Sequence, residues 1–297
     1  MAAITPNQLR GPATTEAVRP AYRPVRPGPV ATLRSTVREI VTHRRLIGYL
    51  VRADLKKRGA DTFLGNVWWF LDPLLTMLVY VILVSVILQS TQEAYPLFIF
   101  CAILPWKWFS ASVADAVTCV TTKEKVIKQV RFPKVVLPVA ATVGGLVSFV
   151  FGLVPLGAML IILFPNHISA MILLLPVVAA VQFVLTFAIC LLAAAITVFY
   201  RDIGNLAGHL LRIWFYLSPA LYSSQRIQSI ATNHPQLYSI YTLNPFAGLF
   251  ESYRNLIYYG QPPEWGLLGI VLVEASILVV LSVIVFRRLE PSFAKVL

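Results

Sequence analysis

Apolar residues run along this chain in blocks too long for the core of a soluble domain. A helix rising about 1.5 Å per residue needs about 20 such residues to cross a hydrocarbon layer about 30 Å thick. Blocks of that kind cover residues 67–88, 95–120, 135–164, 169–199, 203–222 and 266–286, and they predict six transmembrane helices. The joins carry their own signals. Trp68 and Trp69 stand at the entrance to the first block as headgroup anchors, and Asp72-Pro73 bends it one turn further in. Pro165-Asn166-His167 is a short turn between the third and fourth blocks, Tyr200-Arg201-Asp202 turns into the fifth, and Arg287-Arg288 stops the sixth.

Outside the blocks the pattern changes. Residues 1–30 interleave Pro6, Pro12, Pro20, Pro24, Pro27 and Pro29 with four arginines and read as a disordered tail without the apolar core of a signal peptide. Within 31–66, a cytoplasmic or interfacial segment, residues 44–58 place Leu46, Ile47, Leu50, Val51 and Leu55 at helical spacing among basic residues. A basic amphipathic helix beside a span is expected to lie in the headgroup plane. The membrane domain then occupies 67–290. The stretch 223–265 is too polar to span, yet Phe246, Leu249, Phe250, Tyr253 and Ile257 make a helical stripe begun by Asn244-Pro245. That stripe predicts a short outer-face or re-entrant helix before the last span, with Glu251 and Arg254 paired on one face.

Composition agrees with the blocks: 58% of residues are hydrophobic and 13% charged, with a mean hydropathy of +0.74. The net charge of +12 would point to nucleic acid in a soluble protein. Here its distribution gives orientation. Of 25 Lys and Arg, 12 lie in residues 1–66 and 5 in the loop 121–134, whereas the opposite side holds Arg226 and Arg254. An even number of spans with that bias puts both termini in the cytoplasm. Cys101, Cys119 and Cys190 fall inside apolar blocks and read as small buried hydrophobes.

Catalytic signatures are missing. There is no phosphate-binding loop, no HExxH, no GxSxG elbow, and the four histidines are scattered, so neither catalysis nor a metal site is expected from this chain. Ionisable residues within spans are instead functional candidates: Lys107, Asp115, His209, Arg212 and Glu274. Lys107, between Trp106 and Trp108 near the outer end of the second span, either snorkels outward or faces a cavity and holds an anionic or sugar ligand. Arg212 lies too deep to snorkel and should face the protein interior, paired with Glu274 or Asp115. Trp214, Phe215 and Tyr216 after it suit stacking on sugar rings and membrane anchoring alike. In the loop 121–134, Lys123, Lys125, Lys128, Arg131 and Lys134 surround Val126, Ile127 and Val130. That loop is either a docking knob for a partner or plain positive-inside topology.

Taken in order, DLKKRGADTFLGNVWWFLDPLL, LPWKWFS, VIKQVRFPKVVLP, FYRDIGN, FYLSPALYS and LNPFAGLFESYR resemble the membrane subunit of ABC-2 type exporters of O-antigen, teichoic acid and related lipid-linked polysaccharides. The resemblance covers about residues 44–290. It implies a homodimer in the bacterial inner membrane, bound to two copies of a separate ATPase that carries ATP and Mg, moving a polyprenyl-diphosphate-linked glycan outward. It further implies that the helix 44–58 and the loop 121–134, with Arg201 and Asp202, meet the ATPase. The pathway would run between protomers along the first and fifth spans, past Trp68, Trp69, Trp214, Phe215 and Tyr216. Lys107, its neighbours Trp106 and Trp108, and Arg212 join that pathway set. Before the LG pair this sequence reads Arg58-Gly59-Ala60-Asp61-Thr62, one cation short of the family pattern, which leaves Lys56, Lys57 and Arg58 for the lipid diphosphate. The alternatives are an ABC-2 exporter of small lipids or drugs and, in another class, a membrane-embedded glycosyl- or acyltransferase using Glu251, His234 and Asp115.

Overall fold

The computed structural model describes residues 28–59, 63–83, 93–130, 132–222, 241 and 243–296. Among these residues every regular element is helical: α1 Pro29–Thr42, α2 Arg44–Gly59, α3 Trp68–Val81, α4 Tyr95–Cys119, α5 Glu124–Gln129, α6 Val136–Ile162, α7 Leu175–Thr197, α8 Ile203–Leu217, α9 Pro245–Arg254 and α10 Trp265–Val296. Four are long and apolar enough to cross a bilayer, namely α4, α6, α7 with its leading turn from Ala170, and α10. The chain is an all-α integral membrane protein.

The hub is α4, whose apolar stretch is 78% buried, against 33% or less for the other three. Pro96 in its first turn is tolerated because the amide it lacks would be unpaired there. Pro105 lies mid-helix, where polar backbone needs a partner away from water. The Gln182 amide from α7 donates to the Pro105 carbonyl at 2.7 Å, and the Tyr253 hydroxyl donates to Gln182 Oε1 at 2.9 Å. Both side chains are buried, so three elements meet on one satisfied polar chain. On the other side α6 comes close to α4 at Gly145, where a Cβ would sit 1.9 Å from Ser112 Oγ and 2.9 Å from Trp108 Cδ1. Only glycine permits that approach.

One end of the bundle is basic. There the stripe of α2 packs on protein: Ile47 and Val51 are buried with Val120, Val136 and Val139, and Leu46, Leu50 and Leu55 flank them. The apolar stripe of α2 is thus buried against α6, while Arg44, Arg45, Arg52, Lys56 and Lys57 stay exposed. The helix α1 was not legible at all and docks on the end of α10. Arg287 donates to Thr36 Oγ1 at 3.0 Å, to Glu39 Oε2 at 2.7 Å and to Glu290 Oε2 at 2.9 Å, while the Lys134 amide donates to Glu290 Oε1 at 2.9 Å. Arg287 and Arg288 end the apolar stretch but not the helix, which continues to Val296 and buries Phe293 against Phe286.

The fifth block forms a shorter helix than predicted, and the later part of the first lies outside the described residues. The 14-residue α3 leads toward residues outside the described part, and the 15-residue α8 ends at Ser218-Pro219, five residues early. At about 1.5 Å per residue, α8 measures about 22 Å. The predicted start at Asn244-Pro245 is where α9 begins, with the Asn244 side chain accepting from the Phe246 amide at 3.1 Å. This helix is buried among α4, α7 and α10 and closes through a π-helical turn at Asn255–Tyr259 on left-handed Gly260.

Candidate functional site

A groove of about 590 Å³ runs along the exposed side of α4. One wall is α3, presenting Thr76 and Tyr80; the other is α8, presenting Gly208, Leu211 and Arg212; the floor includes Lys107, Ser110 and Ala114. Lys107 is halfway along α4 and not near its end, so it cannot snorkel to either surface. Its ammonium is held by an ion pair with Asp72 and donates to Thr76 Oγ1 at 3.0 Å. The Thr76 hydroxyl in turn donates to the Asp72 carbonyl at 2.7 Å, one turn back across Pro73. Arg212 reaches the same groove from α8 and in the single chain is exposed on it, where an interior position was expected. No ion pair joins Arg212 to a carboxylate among the described residues. Two cations thus line one half-open groove, and the Asp72 carboxylate meets Lys107 from the adjoining cleft; an unpaired charge facing lipid would cost about 2.5–3.5 kcal/mol or more.

Aromatic side chains form the groove's upper part. Trp106 is buried and packs on Phe246 at 4.8 Å, Phe215 at 5.3 Å and Trp214 at 6.3 Å between centroids. Asn244 fastens this cluster: Trp214 Nε1 donates to Asn244 Oδ1 at 3.1 Å, and Asn244 Nδ2 donates to Ser218 Oγ at 2.9 Å. Tyr80 closes on Phe215 from α3 at 5.6 Å, and Tyr216 is exposed beside it. Trp108 points the other way, buried against Phe149 at 5.0 Å, so the Trp-Lys-Trp triplet is split between groove and core. Trp68 lines a smaller cleft with Asp72, Lys107 and Ala111. The Trp69 side chain lies outside the described residues.

Arg254 does not pair with Glu251. It is fully buried, donating to the carbonyls of Pro219 at 2.7 Å, Ala220 at 2.6 Å and Tyr222 at 3.3 Å, with its guanidinium carbon 3.7 Å from the centre of the Phe98 ring. A guanidinium suits that place because its several donors satisfy the chain end that follows α8. Together, Asn244, Pro245 and Arg254 tie α9 to the end of α8. Glu251 is half-buried on α9, whereas Asp115 lies at the basic end of α4 and His234 falls outside the described residues. Glu251 and Asp115 therefore cannot share a catalytic site.

At the basic end, Lys57 and Lys123 line a cavity of about 430 Å³ with Asp54, Asp115, Thr118 and Thr122. Lys123 Nζ lies 3.5 Å from Asp54 Oδ2, which joins α2 to the loop before α5. Lys56 is exposed; the Arg58 side chain and Arg131 lie outside the described residues. On α5, Ile127 anchors the helix inward while Lys125, Lys128, Val126 and Val130 face out. Lys128 donates to Glu124 Oε1 at 2.6 Å, and that bond and charge, with Arg201 and Lys125 nearby, hold the Glu124 carboxyl below the usual carboxylate range. The loop and the exposed Arg201-Asp202 turn are thus neighbours. Asp72, Thr76 and Gln182 were missed in the sequence, although the rule that flags ionisable residues within spans applies to Asp72 as it does to Lys107.

The profile of the ABC-2 type transporter family matches residues 45–258, a span that contains α3, α4, α8 and the groove between them. The chain belongs to the ABC-2 type transporter family. It is 36% identical over 228 residues, 77% of this chain and 86% of the relative, to the O-antigen export system permease protein RfbA of Myxococcus xanthus. Two Klebsiella pneumoniae proteins of the same name are 25% and 24% identical over 253 residues, 85% of this chain and 95% of theirs. As an ABC-2 permease the chain is a transport subunit and not an enzyme, and its family implies an ATPase partner. That sets aside the transferase alternative.

Proposed function

We propose that this chain is the membrane subunit of an ATP-driven exporter of a polyprenyl-diphosphate-linked polysaccharide of the O-antigen, teichoic acid or galactan type. It works as a homodimer in the bacterial inner membrane with two copies of a nucleotide-binding subunit, which bind ATP and Mg. The observation that carries this reading is the groove between α3 and α8, polar and cationic at its centre and aromatic above. A small-lipid or drug exporter has no use for that mixture, whereas a glycan offers hydroxyls to the polar part and ring faces to Trp106, Phe215 and Tyr216. The names of the relatives, O-antigen export permeases, support the same substrate class.

In this reading α3 and α8 belong to the first and fifth of six spans, both termini are cytoplasmic, and α9 is the re-entrant helix of the outer side. The outward Lys125, Lys128 and Val126 of α5, together with α2, Arg201 and Asp202, receive the push of ATP closure. Lys56, Lys57 and Arg58 receive the lipid diphosphate at the inner face. The test is ATP hydrolysis and glycan translocation by the complex reconstituted with its ATPase. Lipid-linked glycan should stimulate hydrolysis and appear on the far side of the bilayer; neither should occur with this chain alone. Translocation without an ATPase, or no stable complex with one, sinks the proposal.

A further inference from the structure

Lys107 and Arg212 carry more charge than their surroundings use. Both line one groove, from α4 and from α8, whose lining among the described residues holds no carboxylate; Lys107 pairs with Asp72 of the adjoining smaller cleft, which Lys107 also lines. Asp72 is 60% exposed on α3 beside Pro73 and lines that smaller cleft, next to the groove and not in it. An ion pair that serves only to hold α3 on α4 would need no second cation facing it. Nor would Arg212 be placed on an exposed helical face at this depth without an anion to meet, since each unpaired charge there is costly.

We infer that this groove is a mid-membrane binding station for an anionic group, phosphate or carboxylate, with Lys107 and Arg212 as its two arms and Asp72 as the displaceable internal counter-ion. In the empty groove Asp72 neutralises Lys107. An arriving anion takes the ammonium of Lys107 and the guanidinium of Arg212, and Asp72 turns out toward water in the cleft. Thr76 stays as the neutral partner of Lys107 throughout, which keeps its Nζ aimed into the groove. Tyr80, Trp106 and Phe215 then flank the anion with ring faces suited to an attached sugar. In the empty groove Asp72 compensates Lys107 and leaves Arg212 in excess; the arriving anion supplies the missing negative charge, so it meets a cation and not bare low-dielectric surroundings. This inference rests on the export reading above and adds the chemistry at the centre of the path. The anion has two possible sources, the diphosphate of the lipid linker or an acidic sugar of the glycan.

The test uses the complex of this chain with its ATPase in lipid nanodiscs, measuring ATP hydrolysis against three probes: polyprenyl diphosphate, a polyprenyl-diphosphate-linked neutral glycan, and one bearing glucuronate. Arg212→Met and Lys107→Met should each raise the half-maximal probe concentration about tenfold, the loss expected for one charge-assisted contact. Lys107→Arg should restore most of the loss, and Asp72→Asn, which releases Lys107, should lower the half-maximal concentration. A shift already seen with bare polyprenyl diphosphate names the diphosphate as the anion, and a shift confined to the glucuronate probe names the acidic sugar; either supports the station. Stimulation with the same half-maximal concentration in every variant overturns it and leaves the export reading standing. A wild-type complex that no probe stimulates removes the export reading, and this inference with it. Co-purification with the ATPase reports assembly, and should Lys107→Met fail to assemble, Arg212→Met carries the test because Arg212 makes no ion pair among the described residues.

Discussion

Gln182 links the Tyr253 hydroxyl to the Pro105 carbonyl inside the bundle. The hydroxyl of Tyr253 is fully buried, and only Gln182 Oε1 accepts from it. Replacing Gln182 with Leu should lower stability by about 1 kcal/mol, since a polar group away from water loses its partner. Adding Tyr253→Phe should cost less than the sum of the two single changes, which a double-mutant cycle on thermal unfolding in detergent would read. At this scale the sequence was legible for residue type and depth but not for partner. Arg212 was expected in the interior, yet in the single chain it is exposed on the groove. Arg254 was visible as a cation near Glu251, yet it caps three carbonyls brought to it from the far end of α8, 32 to 35 residues away.

Elements bear this out differently. The helix α1 holds to the bundle through Arg287, which binds Thr36, Glu39 and Glu290 together. Arg287→Gln should remove about 1–2 kcal/mol of that docking, and hydrogen exchange should rise across Pro29–Thr42 while α4 stays protected. Unchanged exchange in α1 would mean that Leu33 and Ile40 suffice to hold it. The outward edge of α5 carries a separate prediction. Val126 is 48% exposed between Lys125 and Lys128, so Val126→Asp should leave the bundle folded and sharply reduce recovery of the ATPase in a pull-down. Retention of the ATPase would show that α5 is only a topological cation cluster. Periodicity predicted α2, α4, α6, α7 and the start of α9, because each buries a continuous stripe. It missed α1, whose stripe is short and whose partner is the last helix.

The whole molecule leaves one face unfinished. Leu206, Leu210, Ile213 and Leu217 are exposed along α8 on either side of Arg212. Apolar residues alone would suit lipid; the arginine among them does not. The proposed homodimer covers this face, so Ile213→Cys should cross-link to its own copy in membranes when treated with a short thiol-specific linker. The three native cysteines are buried and should give no background. Failure to cross-link at Ile213, with success from the opposite side of the bundle, would move the protomer contact away from α8.

By itself the sequence determined that the chain lives in a membrane, where most of its helices begin and end, and which end is basic. Those properties follow from local runs of residues, and the bilayer sets the length each run must have. Tertiary structure alone decided that Lys107 meets Asp72 and shares a groove with Arg212, that Trp108 turns away from Trp106's cluster, and that Arg254 fastens α8. Each of these depends on how one helix is rotated against another. That rotation is chosen by close contacts such as Gly145 against Ser112 and by the buried chain from Pro105 through Gln182 to Tyr253, which no hydropathy pattern records.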